Sequence, residues 1–456
     1  MIRSSGPPDK TTPGNVGDIY QNTDNGEIFV CKDVNHHPVR HQFIEVSAKD
    51  VNTEYVWEDT RTPLHPYGED TVGLCANNRK AADILPMIDF RNCTNFSEMF
   101  KGSTALTEAP ELDTRNAENT SYMFDGCTTL TSTPNYYLPK LKDASYMFKD
   151  CSKITSYGDI RMPLAETLIG MFYNCGGLET VGDINLPYAT DVSNMFYTCY
   201  KLKSIKSINI PNVINAEKFL YMLRESSGNI PVILGELESL PHISIPKCKN
   251  AYLFCCGLKN VTSISVYAPS VENCRSMFYG NVSVETISEI KSPNITNTMS
   301  MFNRCLKLKN VKISDTSKTT MVTGMFHECE SLESVETVDM NSVTDKASCE
   351  YMFYNNYALT HLTLKNIRVS LVIGSGSSWG HLLTVDSLVN TIKELITSNT
   401  YQTLTMGTAN LEKIKNLYCK IIDDTDPKKT MELCESTEEG AVTLVQYAQL
   451  KKWNIR

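Results

Sequence analysis

The sequence predicts a repeat solenoid of mixed α/β character. About eleven coils of 24 residues stack with parallel sheet between them, preceded by a small β module and followed by an α/β cap. Three observations predict this: a Met-Phe pair recurs at a fixed step, other residue columns travel with it, and both ends of the chain lack the pattern.

The pairs begin at Met99, Met123, Met147, Met171 and Met195, each 24 residues apart. Phe219-Leu220 and Leu253-Phe254 stand in for the pair further on, and Met277, Met301 and Met325 resume the step before Met352 closes the series. Four residues after the Met stand Cys127, Cys151, Cys175, Cys199, Cys305 and Cys329. Seven after it stand Leu106, Leu130, Ile154, Leu178, Leu202, Leu308, Leu332 and Leu359, and four before it Asn95, Asn119, Asp143, Asp191, Asn215, Asn273 and Asn297.

Within a unit, LKSIKSINIP (202–211) and LESVETVDM (332–340) are rich in Ile and Val at short spacing and predict strands. DVSNMFYTC (191–199) predicts a tight turn or one helical turn. A strand and a turn cannot bury an apolar face alone, whereas stacked copies cover one another. Met and Phe are therefore expected inside, the first adapting to gaps and the second supplying area. Cys is expected as a small hydrophobe in a crowded turn, with its thiol reduced. The Asn/Asp column is expected to satisfy backbone donors of the neighbouring coil. Successive cysteines lie one coil apart, which argues against a metal ladder.

This pattern resembles the BspA-type leucine-rich repeat in its Met-Phe-x-x-Cys variant, over residues 83–365. The resemblance implies a leucine-rich-repeat solenoid and roles in adhesion and binding. About ten extra residues near 225–236 and three near 342–348 break the register, and insertions in solenoids map to loops on one face.

Four segments are expected: an N-terminal β-hairpin attachment module over 1–64, a linker and cap over 65–82, the solenoid over 83–370 and a C-terminal cap over 371–456. In the first, Asn25-Gly26 between DIYQNT and EIFVCK is a hairpin signal, and TEYVWED (53–59) reads as a further strand. This pattern resembles hairpin modules of phage tail-fibre proteins. In the last, GSGSSWG (374–380) breaks the repeat. TVDSLVNTIKELI (384–396) predicts a helix capped by Thr384 or Asp386, and YQTLTMG (401–407) a strand. LEKIKNLY and EGAVTLVQYAQLKKW (439–453) predict helices. The run from LTVDSLVN to LKKWNI resembles the C-terminal cap of BspA-type proteins encoded by phages and prophages.

Composition narrows the function classes. A net charge of -9 argues against a broad grip on nucleic acid. The N-terminus lacks an apolar h-region and no run of about 18 apolar residues occurs, so neither a secretory signal nor membrane insertion is expected. No catalytic motif, cofactor fingerprint or zinc spacing is found, and no enzyme, cofactor or metal is expected. His36 and His37 read as surface residues, and the 16 cysteines mostly belong to the repeat. Lys203, Lys206, Lys309 and Lys312, against Glu333 and Glu336, form the candidate receptor-binding charge pattern on the strands, where a merely solvated face is the competing reading.

The functional expectation is a bacteriophage virion structural protein, a tail or head fibre. Its solenoid would bind a host-surface glycan or protein receptor, and residues 1–64 would join other virion proteins, with a homotrimer as the assembly the resemblance suggests. The alternatives are a bacterial cell-surface BspA-like adhesin and an intracellular scaffold.

Overall fold

The structure, a computed structural model, describes residues 90, 92–224, 233–374, 382–422, 425 and 430–456, together with the strand backbones at 2–4, 19–22, 28–34 and 55–59. By its contacts the chain divides into two compact units, Met1–Ile210 and Pro211–Arg456.

Each coil of the first unit is built around a turn at the Met-Phe pair. The residue before the Met is left-handed at Glu98, Tyr122, Tyr146, Gly170 and Asn194, and so is the residue three after it at Gly102, Gly126, Asp150, Asn174 and Thr198. For a residue with a Cβ this conformation costs on the order of 1 kcal/mol. The hydrogen-bond pattern offsets it. Backbone N–H groups alternate between a tight turn in their own coil and the next coil's carbonyls. Met123 N–H donates to Thr120 at 3.1 Å, Phe124 N–H to Met147 one coil on at 2.8 Å, and Gly126 N–H to Lys149 at 2.8 Å. Buried backbone groups must be paired, and this turn pairs them without a helix.

Met123, Met147, Met171 and Met195 are fully enclosed, as are the paired Phe side chains. The rings form a stack: Phe100–Phe124 at 5.1 Å, Phe124–Phe148 and Phe148–Phe172 at 5.4 Å, and Phe172–Phe196 at 5.6 Å. Burying each such side chain is worth about 1.5–3 kcal/mol. The Leu/Ile column is buried as expected, from Leu106 through Leu202.

Strands follow where proline permits. β1 (Ile2–Ser4), β2 (Ile19–Asn22), β3 (Ile28–Val34) and β4 (Tyr55–Asp59) form the N-terminal sheet. The expected hairpin partners pair antiparallel, Tyr20 opposite Phe29 and Cys31 opposite Trp57, while the Asn25-Gly26 turn lies outside the described residues. β1, parallel to β2, was not foreseen. The expected linker over 65–82 and the pair His36 and His37 also lie outside the described residues. In the coils, β5 (Ser156–Tyr157), β6 (Ile160–Arg161), β7 (Thr180–Asn185) and β8 (Ser204–Asn209) form a parallel sheet, with Ile160, Ile184 and Ile208 in one buried row. Earlier coils carry Pro110 and Pro134 at corresponding places. Proline lacks the donor a ladder needs, and there the pairing shrinks to a single bridge between Glu108 and Ser132.

In the second unit the same turn recurs at Lys218, Leu253, Ser276, Ser300, Gly324 and Tyr351, each with positive φ. One register differs from the sequence reading. Cys255 pairs with Leu220, and Asn250 bridges both Asn215 and Asn273. The Met-Phe equivalent is therefore Phe254-Cys255, not Leu253-Phe254. Leu253 takes the left-handed position and Phe254 stacks on Phe219 at 5.6 Å. Phe278, Phe302, Phe326 and Phe353, in the second position of the pair, form a separate ring stack at 5.6–5.8 Å. Most of the insertion near 225–236 lies outside the described residues, and the extra residues after 342 form a 3-10 turn at Lys346–Cys349.

The unit ends in α1 (Val385–Lys393), α2 (Thr408–Ile414) and α3 (Leu444–Leu450). Thr384 caps α1, accepting from Ser387 N–H. The expected strand lies at Gln402–Thr405, parallel to Leu371–Val372 and to Trp453–Ile455. Most of the GSGSSWG stretch lies outside the described residues. The helix expected over 439–453 is shorter, because a capping box at Thr443 and Gln446 starts it late and left-handed Lys452 stops it early. LEKIKNLY likewise divides between α2 and a strand at Tyr418–Ile421. Trp453 is fully buried and its Nε1–H donates to Ile396 at 2.9 Å.

Candidate functional site

Of the four lysines of the charge pattern, Lys203 is half-buried and Lys206, Lys309 and Lys312 are exposed, and all four are partnered. Lys203 lies 2.8 Å from Glu179 and Lys206 2.8 Å from Asp183 in the first unit. Lys309 lies 2.9 Å from Glu285 and Lys312 3.0 Å from Glu336 in the second. Each partner stands one coil away. The Lys203 ammonium, hydrogen-bonded to Glu179, holds that carboxyl below its usual range. These pairs tie neighbouring coils together on the exposed face.

A more distinctive constellation gathers on the strand face of the first unit. Two short stretches, YGDIRMP (157–163) and VGDINLP (181–187), repeat a Gly-Asp-Ile pattern one coil apart. The reason for the glycine is local. A Cβ on Gly182 would meet Asp159 Oδ1 at 2.5 Å and the Gly158 carbonyl carbon at 2.8 Å. With hydrogen there instead, the Asp159 carboxylate lies over the neighbouring coil and accepts the Asp183 N–H at 2.9 Å. Its other oxygen accepts from Arg161 Nη2 at 2.8 Å. One coil on, Asp183 accepts from Lys206 Nζ at 2.8 Å and from Ser207 Oγ at 2.6 Å, and these two donors hold its carboxyl below the usual range.

Side chains alternate across a strand, so residues two apart share a face. Arg161, Asn185 and Asn209 occupy one exposed row in strand register, and Asn209 Nδ2 donates to Asn185 Oδ1 at 2.7 Å. Beside that row, Asp183 and Ser207 occupy another. Between them, Ile160, Ile184 and Ile208 point into the core.

A cleft of about 440 Å³ opens at the end of these rows, with Asn135, Tyr137, Asp159, Arg161 and Asn185 in its wall. Pro134 and Pro139 flank the segment that forms its far side. There Tyr136 turns inward, its hydroxyl donating to the Pro110 carbonyl at 2.8 Å, while Tyr137 stands 72% exposed. Tyr157 lies beneath, edge-on to Phe172 at 5.1 Å. Burial pushes the hydroxyls of Tyr136 and Tyr157 well above their usual range, so this part of the lining stays uncharged. Arg161 and Asp159 compensate each other at the mouth.

The expected site contained only Lys206 from this face. The aromatic and amide residues were missed because each is ordinary alone; the signal that could have found them is the repeated Gly-Asp-Ile followed by proline. A second, half-buried aromatic row runs along the turns. Tyr122 stacks on Tyr146 at 5.0 Å and Tyr173 on Tyr197 at 4.6 Å, with Lys101 over Tyr122 at 5.0 Å. Tyr146 covers Gly170, which gives this row a packing role.

Among the described residues, no group of three or more His, Cys, Asp or Glu side chains is placed to hold a metal ion. No helix among them is long and apolar enough to cross a membrane.

Comparison with known families agrees with the coil geometry. Residues 121–239 match the family described as BspA type leucine rich repeat region, in six copies. Over that stretch the coils are similar to BspA-type leucine-rich repeats. Residues 76–162 and 257–370 match a second family, described as Mycoplasma protein of unknown function, DUF285. No curated protein matches the chain. Among solved structures, one titled as a TLR13–ssRNA13 complex aligns over 73% of this chain and 43% of its own, at 11% identity and a TM-score of 0.26. The six matched copies fall on the stacked coils of residues 121–239.

Proposed function

We propose that this protein is a surface-recognition protein of a bacteriophage particle, part of a tail or head fibre. Its BspA-like repeats bind a receptor on the host cell, and residues 1–64 attach it to other virion proteins. The observation that carries the recognition role is the cleft beside Tyr137. An exposed aromatic there faces a compensated Arg-Asp pair and a row of amides on a rigid sheet, the usual make-up of a binding rather than a reacting surface. The phage setting rests on the resemblance of the N-terminal hairpins and of the C-terminal cap to phage-encoded proteins. The reading assigns no reaction, cofactor or metal to the chain.

A bacterial surface adhesin is the second reading, favoured equally by the BspA-like repeats. Mass spectrometry of purified particles separates the two. Recovery of the chain in particles is expected, and its absence from them, with recovery on the producing cell's own surface, favours the adhesin. Binding of the labelled full chain to bacterial cells tests the recognition role itself.

A further inference from the structure

We infer that the cleft at Tyr137, Asp159, Arg161 and Asn185 binds an uncharged oligosaccharide, with the amide row running to Asn209 as its extension. This rests on the recognition reading above and names the ligand class of the same site.

The chemistry of the surface selects the ligand. A sugar ring offers an apolar C–H face and an equatorial belt of hydroxyls, each both donor and acceptor. Tyr137, 72% exposed, provides a flat apolar platform at the cleft with a hydroxyl at its tip. Asn135, Asn185 and Asn209 present side-chain amides, each with an acceptor oxygen and two N–H donors, the complement of neighbouring hydroxyls. Asp159 and Arg161 add a planar carboxylate and a planar guanidinium that already orient each other at 2.8 Å.

Other ligands fit less well. An anionic polymer needs uncompensated cations, yet Arg161 is held by Asp159 and Lys206 by Asp183, both at 2.8 Å. An extended peptide adding as a strand needs an open sheet edge. The strands in the cleft wall, β5 and β6, pair with β7 on one side only, but each is two residues long and offers an incoming strand little ladder to extend. The register repeats the polar side chains once per coil, about 4.8 Å apart, which suits a ligand that is itself a repeat.

The test uses the full chain. It is applied first to an array of neutral and anionic oligosaccharides, and the tightest neutral member is then titrated calorimetrically against wild type, Tyr137→Ala, Asn185→Ala and Tyr188→Ala. Tyr188 is exposed but outside the cleft lining and serves as the surface control. Loss of at least about tenfold in affinity is expected for Tyr137→Ala and Asn185→Ala, with none for Tyr188→Ala and thermal midpoints unchanged in all three. No binding to any neutral member, or equal affinity in all four proteins, overturns the inference. On bacterial cells that bind the chain, periodate treatment should abolish binding and protease treatment should leave it. The reverse result overturns the oligosaccharide assignment while leaving recognition intact, whereas failure to bind any cell counts against recognition itself.

Discussion

The thiol of Cys175 donates to the carbonyl oxygen of Phe148, in the preceding coil, at 2.9 Å. The same bond recurs from Cys127 to Phe100, Cys151 to Phe124, Cys199 to Phe172, Cys305 to Phe278 and Cys329 to Phe302, all at 3.0–3.1 Å. The cysteine column is thus more than a small filler. It supplies a second donor to a turn carbonyl that already accepts a backbone N–H of its own coil, as Phe148 does from Cys151 at 3.2 Å. The Phe148 carbonyl keeps that Cys151 N–H, so Cys175→Ala should cost only about 1–2 kcal/mol, from the lost second bond and a small void. Native-state hydrogen exchange of the amides in coils 148–199 measures it, and an unchanged exchange free energy contradicts the role.

The same thiols are buried, and burial pushes those of Cys199 and Cys305 up to about 12. A thiolate is the reactive species. At pH 8 the coil cysteines should resist alkylation in the folded chain and react fully in denaturant. Rapid native labelling at Cys151, Cys175 or Cys329, read by peptide mass spectrometry, contradicts this.

Two asparagines occupy the cysteine slot with opposite outcomes. Asn281 Nδ2 donates to Cys255 at 2.8 Å and Phe278 at 2.9 Å, and its Oδ1 accepts the Leu258 N–H at 2.9 Å. Asn281→Ala should cost at least about 3 kcal/mol by stranding several buried groups. Asn356 is equally buried, yet neither its Oδ1 nor its Nδ2 has a hydrogen-bond partner among the described residues. Asn356→Cys should instead stabilise the second unit by about 1–2 kcal/mol, by removing two desolvated polar atoms. Urea denaturation followed by exchange in that unit distinguishes the signs.

Gly170 holds the left-handed position at φ 58° that Tyr146 and Asn194 hold in neighbouring coils, so backbone strain alone does not demand glycine there. The Tyr146 ring lies where a Cβ would go. Gly170→Ala should cost about 1–3 kcal/mol from overpacking. The double substitution with Tyr146→Ala should cost less than the sum of the two single changes, and strict additivity contradicts the contact as the cause.

The exposed ion pairs predict a modest acid response. Lys142, Lys203 and Lys309 hold Glu118, Glu179 and Glu285 below the ordinary 4.5. A carboxyl with a depressed folded pKa contributes stability above its unfolded value and loses it as the pH falls through the folded value. The thermal midpoint should therefore fall below about pH 4.5, and the fall should shrink in 1 M salt, where exposed pairs are screened. A salt-independent fall contradicts this origin.

Much of the coil was legible because its rules are local and recur from coil to coil. The Met-Phe step, the Leu column and the strands at 204–209 and 334–339 follow from spacing alone. The exception at Leu253 arose because Phe254 resembles the second member of the pair, whereas the Asn250 bridge places it as the first. The Asn/Asp column shows a different limit. It was expected to serve the neighbouring coil's backbone, but Asn119, Asp143 and Asp191 each accept the N–H two residues on in their own coil at 2.8 Å. A side chain that short closes an Asx turn more readily than it spans a coil spacing, and the backbone bridges already join the coils.

By itself, then, the sequence determined period, inside and outside, since burial of a periodic apolar set admits few arrangements. Only the tertiary structure decided which polar atoms meet. Tyr137, Arg161 and Asn185 lie 24 residues apart along the chain, and nothing local marks them as partners. Stacking the coils in register brings them to one cleft, because a repeat length of 24 becomes a distance of one strand spacing.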